Sequence, residues 1–126
     1  MCHHAQGDEA KYRRADELVI AMHRRVRHSL IEFEQAGIDV KVTAGKLQDC
    51  IDYMTRVPDG HHVGVEELAD ITLQAQRALT RFHAASQYHL IQRDYYEDAQ
   101  RRRQELVAKS QQDLADIREL AGKLGS

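Results

Sequence analysis

The chain has 126 residues, of which 42% are hydrophobic and 30% are charged, and its formal net charge is −2. This length fits one domain of ordinary globular composition, and the small net charge excludes binding to a polyanion through global charge alone. The two cysteines do not make a disulfide framework and no stretch approaches the ~20 apolar residues of a membrane span, so we predict a cytoplasmic protein that does not enter a membrane.

The first residues lack the apolar run of a signal peptide, and we predict a flexible N-terminus over residues 1–7. Met1, Cys2 and His3 have the spacing with which a free amine and a histidine at position three chelate Cu(II) or Ni(II). Because the pattern requires only one histidine, chance matches are common. We therefore predict no metal and no cofactor, although the spacing leaves such chelation open.

The first predicted helix covers residues 8–36, because apolar side chains recur there at alternating steps of three and four. Gly37 is well placed to end this helix, since glycine tolerates the left-handed conformation of a C-terminal cap. The stripe consists of Tyr12, Ala15, Val19, Met22, Val26, Ser29 and Phe33.

The second predicted helix covers residues 39–57, with Asp39 as its N-cap. The alternation from Ile38 to Val42 also fits a short strand, although no second strand offers itself as a partner. The segment 58–60, Pro-Asp-Gly, then predicts a sharp break. The stripe of this helix consists of Val40, Ala44, Leu47, Ile51 and Met54.

The third predicted helix begins near Val65, with Gly64 as N-cap, and contains no glycine or proline up to residue 121. As one helix it would be roughly 85 Å long, whereas the first helix would be about 43 Å long. The apolar stripe on its far half would then need another chain to cover it. Alternatively, Asp94 and Glu97 cap a new helix after a turn near 92–95.

These elements predict an all-α antiparallel bundle of three helices with a long C-terminal helix, forming a single domain over residues 8–121. A four-helix up-down bundle with a break near 92–95 is the alternative. We expect residues 122–126 to be a flexible tail.

The residue pattern does not indicate a metal site or a catalytic nucleophile. The Glu-x-x-His pairs of a dinuclear carboxylate site are absent, and no two histidines have the i, i+4 spacing that places two imidazoles on one ion. Cys50 adjoins the apolar stripe of the second helix, which predicts a core residue rather than a nucleophile. We predict no metal site, no catalytic residue and no enzyme activity.

A less favoured alternative is a small metal-dependent nucleotide hydrolase. Glu66, Glu67 and Asp70 would provide one acidic cluster. Asp94, Glu97 and Asp98 could provide a second cluster on a facing helix, but only in the four-helix arrangement.

Arginines suggest a second kind of surface. The run Arg101 to Arg103 follows acidic residues at the i, i+4 spacing and is interpreted as a self-neutralised face. Five other arginines differ from this run. Some have no acidic residue four positions earlier, and others place like charges on one helix face. These arginines either form ion pairs with Asp49 and Asp52 or bind an acidic partner. This set consists of Arg24, Arg25, Arg27, Arg77 and Arg81.

We therefore predict a non-enzymatic protein–protein interaction module, such as an adaptor, a chaperone-like protein or an assembly protein. Partner helices or a second copy would pack coiled-coil fashion on Leu106, Ile117 and Leu120. A nucleic-acid-associated regulator that uses the arginine set is the alternative, and it predicts affinity that falls steeply with salt.

Overall fold

The computed structural model describes the backbone of residues 2–57 and 62–125 and the side chains of residues 9–57 and 64–125. Helix α1 covers Cys2–Arg56 and helix α2 covers His62–Leu124. The all-α class and the uninterrupted final helix are confirmed. The bundle of three helices, and the four-helix alternative, are wrong, because the described residues form a hairpin of two helices.

Gly37 does not end a helix, and Asp39 is not an N-cap, because α1 continues through both residues. The apolar stripe explains why α1 continues, because its residues recur at alternating steps of three and four without a change of register from Ala15 to Val57. A helical glycine costs only about 1 kcal/mol, which packing on both sides of Gly37 offsets. The strand considered for residues 38–42 is also helical.

The predicted turn near 92–95 is absent for the same reason. The steps of α2 keep one phase from Gly64 to Leu124, and the polar His89 and Gln92 occupy buried positions of that phase. Asp94 and Glu97 therefore lie within a continuous helix rather than at a cap. Gly64 is likewise inside α2 and not its N-cap, since the helix begins at His62. The predicted break at Pro58 to Gly60 lies outside the described residues.

Both helices thus carry a heptad repeat, in which residues a and d face the other helix. We call these residues the seam. In α1 the d residues, except Met22, are no larger than valine, whereas the a residues are valine or larger. The d residues are Ala15, Met22, Ser29, Ala36, Thr43, Cys50 and Val57, and the a residues are Val19, Val26, Phe33, Val40, Leu47 and Met54. Ala44 and Ile51, which were predicted in the stripe, are exposed, and Thr43 and Cys50 replace them.

The chain divides into two contact units. The first unit contains residues 1–26 and 92–126. Its core consists of Val19, Met22 and Ala99, with Tyr96 packed against them. The hydroxyl groups of Tyr12 and Ser110 are hydrogen-bonded at 2.5 Å. Residues early in α1 therefore contact residues late in α2, which makes the helices of this unit antiparallel.

The second unit contains residues 27–91. The ring of Phe33 lies 5.2 Å from the ring of Phe82 and 5.8 Å from the ring of His89. Near the other end of the unit, a Cβ atom on Gly64 would lie 3.5 Å from Cγ of Met54. The helices of this unit are antiparallel as well.

No helix of the described residues is both long enough and apolar enough to cross a membrane.

Replacing Gly45 with alanine tests the continuity of α1. A Cβ atom at this position would meet no atom within 4 Å, so the substitution adds helix propensity without a clash. We expect Gly45→Ala to raise the free energy of unfolding by about 1 kcal/mol in urea denaturation followed by circular dichroism. A loss of stability would indicate that the chain is not helical at this glycine.

Candidate interaction surfaces

Two of the three predicted partner-binding residues are exposed on α2. The exposed fractions of Ile117 and Leu120 are 64% and 57%, whereas Leu106 is half-buried in the first unit. All three occupy seam positions of the heptad phase. Their assignment to a partner remains a prediction.

The helix lengths on which that prediction was based are partly wrong. The prediction assumed that the first helix ends at Gly37, whereas α1 reaches Arg56. Tyr12 of α1 contacts Ser110 of α2, and Asp16 of α1 contacts Arg103 of α2. Helix α1 therefore covers a longer part of α2 than predicted. From residue 101 to residue 125, every residue except Leu106 is nevertheless exposed.

The arginine set lies on the outer surface of both units. Arg24 and Arg25 belong to the first unit, and the other three belong to the second. All five are exposed, and none makes an ion pair with Asp49, Asp52 or any other acid of the described side chains. The internal pairing that would have neutralised them is therefore not formed there.

All three arginines of the run Arg101 to Arg103 are paired, Arg102 with the acid at the predicted i, i+4 spacing and the other two with acids at other positions. Arg101 and Arg102 both bind the carboxylate of Asp98, and Arg103 binds Asp16 of α1 at 3.4 Å. Glu97 pairs with Arg93 instead of Arg101. These pairs are exposed, and exposed ion pairs stabilise a protein by less than about 1 kcal/mol each.

A buried polar pair lies in the seam near the end of the second unit that residues 27 and 91 bound. Ser29 is fully buried, and its Oγ lies 2.9 Å from Nδ1 of His89, which is 8% exposed. The sequence placed Ser29 on the apolar stripe, but it gave no sign that a histidine would face it. Polar seam residues typically fix the register of two helices rather than add stability.

The two sides of the seam in the second unit differ in charge. One side carries the g residues of both helices, among them Glu32, Asp39 and Arg81, which line a common groove over Ala36 and Ala78. The other side carries the e residues, and none of these is charged in this unit. They are Leu30, Gly37, Ala44, Ile51, Val65, Thr72, Leu79 and Ser86.

The uncharged side contains a groove where α1 lacks a side chain. A Cβ atom on Gly37 would lie 3.5 Å from the ring of Phe82, so the ring forms one wall of this groove. We call it the Gly37 groove. Its lining consists of Leu30, Phe33, Gly37, Ile38 and Phe82, with Glu34 and Lys41 at the rim. Sequence reasoning missed it because Gly37 was interpreted as a helix end.

In the first unit, the groove on the g side is basic. Lys11, Arg14 and Lys109 line it together with one acid, Glu105, and its apolar floor includes Leu18 and Leu106. Arg102 also lines it, but its guanidinium group already binds Asp98.

The described residues contain no group of three or more His, Cys, Asp or Glu side chains that could hold a metal ion. Glu66, Glu67 and Asp70 do not face Asp94, Glu97 and Asp98 from another helix, because all six belong to α2. The four-helix arrangement that the hydrolase alternative requires is not formed. Cys50 is buried, as the sequence predicted. The Met1-Cys2-His3 terminus lies outside the described side chains.

Removing the Ser29 hydroxyl tests the buried polar pair. Ser29→Ala leaves Nδ1 of His89 without this partner in the core, and we expect a loss of about 1–3 kcal/mol in the free energy of unfolding. Ser86→Ala, at a half-buried e position, is the matched control and should change stability by less than about 0.5 kcal/mol. Equal effects in urea titrations at one protein concentration would contradict the assignment.

Gln92 offers a test with the opposite sign. This side chain is 7% exposed, and its Oε1 atom has no hydrogen-bond partner among the described residues. Gln92→Met removes the buried acceptor at similar volume, and we expect a gain of about 1 kcal/mol. The exposed Gln87→Met serves as control. A destabilised Gln92→Met variant would show that the amide is satisfied in solution.

No known protein family, curated protein or solved structure matches this chain.

Proposed function

We propose that this chain is a non-enzymatic protein–protein interaction module that assembles by packing an amphipathic helix of a partner protein against α2. One observation carries the proposal. The heptad phase of α2 continues to Leu124, yet its seam residues Ile117, Leu120 and Leu124 are 64%, 57% and 78% exposed. Apolar seam positions normally face another helix.

The exposed stripe is wider than the seam alone. Val107 and Leu114, at e positions of the same helix, are 47% and 45% exposed. A helix with apolar a, d and e residues has the pattern of a bundle helix with two helical neighbours. Charged residues of both signs flank the stripe, including Lys109, Asp116 and Arg118, and Asp113 occupies one seam position within it. This arrangement suits an amphipathic helix with a mixed polar border rather than a polyanion.

The test is affinity capture from an extract of the native host, followed by mass spectrometry. Burying Ile117 and Leu120 against a partner would make charge there costly, so Ile117→Glu/Leu120→Glu should abolish capture of the specific partner. Ala115→Glu lies at the f position of the same helix and is the matched control, which should retain it.

Two results would contradict the proposal. The first is that the double variant captures the same proteins as the wild type. The second is that the wild type captures no protein above the level found with beads alone. Circular dichroism of each variant verifies that the helices are retained.

A second candidate function has one observation in its favour, the five exposed arginines without an ion pair among the described side chains. In this candidate, Arg24, Arg25, Arg27, Arg77 and Arg81 bind nucleic acid. Affinity for a duplex would then fall steeply between 50 and 200 mM salt, roughly tenfold or more for a few phosphate contacts. A gel shift that shows no complex at low salt would remove this candidate.

A further inference from the structure

The charge pattern beside the seam distinguishes the second unit from an ordinary pair of helices. In a stable two-helix coiled coil, both e and g residues are usually charged. Here the g side of the unit carries Glu32, Asp39, Lys46, Glu67 and Arg81, whereas the eight e residues carry no charge. Apolar a, d and e positions in both helices are the pattern of a four-helix bundle, in which each helix contacts two others.

Large apolar side chains on this side are open to solvent. Leu30, Ile51, Val65 and Leu79 are 39%, 44%, 58% and 48% exposed. Ile38, which lines the Gly37 groove, is 53% exposed. Isolated exposed residues of this kind are common, but several large apolar side chains around one groove, with Glu34 and Lys41 at its rim, mark an interaction site.

The rim of the Gly37 groove is self-complementary in charge. Glu34 lies three residues before Gly37, and Lys41 lies three residues after Ile38. Both are exposed, and neither makes an ion pair among the described side chains. If a second α1 packs antiparallel across the midpoint of Gly37 and Ile38, a two-fold axis places Glu34 opposite the partner's Lys41, and the reverse.

We infer that the Gly37 groove binds a second copy of this chain, so that two hairpins form a four-helix bundle through their uncharged sides. The inference rests on the proposed function, since it names one partner of the interaction module. It uses a surface in the second unit, whereas the α2 stripe around Ile117 lies in the first unit. Ile38 of each copy lies opposite Gly37 of the other and fills its groove, where the absence of a Gly37 side chain allows two backbones to approach closely.

Sedimentation equilibrium of the full chain tests the inference. We expect the wild type to be a dimer and Ile38→Glu to weaken dimerisation by at least 100-fold, because the new carboxylate would be buried in the interface. Leu73→Glu is the matched control, since Leu73 is another exposed apolar residue at an f position of this unit, with 43% exposure. It should dimerise as the wild type does.

Charge reversal tests the two-fold arrangement without disturbing apolar packing. Glu34→Lys and Lys41→Glu should each weaken the dimer about tenfold, because each replaces two attractions across the axis by two repulsions. The double variant Glu34→Lys/Lys41→Glu restores both attractions and should dimerise within about threefold of the wild type. These exposed substitutions decide the question even if Ile38→Glu loses its helices in circular dichroism.

A wild type that is monomeric at all accessible concentrations would overturn the inference. So would a dimer that Ile38→Glu leaves intact, or a double charge variant weakened by the product of the two single effects. These outcomes are independent of the host partner. If Ile117→Glu/Leu120→Glu loses the captured partner protein, the proposed function is supported whether or not the chain dimerises. If the wild type dimerises but captures no partner protein, the inference on self-association stands and the proposed function is contradicted.

Discussion

The structure depends on one constraint: each helix keeps a single heptad phase in which most seam residues are apolar, with polar exceptions in α2 that include His89, Gln92, Arg103 and Asp113. In α1 the phase holds from Ala15 to Val57, and in α2 from Gly64 to Leu124. A repeat of 3.5 residues keeps the same face toward a neighbouring helix, so packing continues through positions where local propensity is poor. Gly37 and the polar pair Ser29–His89 are tolerated because the seam on either side of them is intact.

A seam between two helices buries little, and this limit connects the fold to the proposed function. The buried hydrophobic residues of the described chain are Val19, Met22, Cys50, Ala78 and Ala99, three of which have small side chains. Other seam residues, such as Phe33 and Phe82, are only half-buried, so part of their apolar surface stays in solvent and further burial would stabilise the chain. The apolar residues in and beside the seam are where further burial can come from. Among the described residues, the Gly37 groove in the second unit and the exposed seam residues Ile117, Leu120 and Leu124 in the first unit can provide it.

Much of the fold was predictable from helical periodicity, and the errors have a common cause. The stripe from Ala15 to Phe33 followed directly from the spacing of apolar residues, and the unbroken final helix followed from the absence of glycine and proline between residues 65 and 121. Cys50 is buried as predicted, although it occupies the seam in place of Ile51. The helix count was wrong because Gly37 and Asp39 were weighed as local signals, although continuing the three-four steps across them would have shown an unchanged phase. The Gly37 groove was missed for the same reason, since it exists only if Gly37 is helical. The partner of Ser29 was not predictable, because pairing it with His89 requires the register of two segments 60 residues apart.

Amide hydrogen exchange at residues 36–41 tests the central claim most directly. If α1 is one helix held by a continuous seam, the amides around Gly37 exchange as slowly as those of the turns on either side, because each is bonded within the helix. If residues 36–41 instead connect two separate helices, their amides exchange at the rate of an unprotected loop while the flanking segments remain protected. That pattern would contradict the two-helix architecture, and the Gly37 groove would be lost with it.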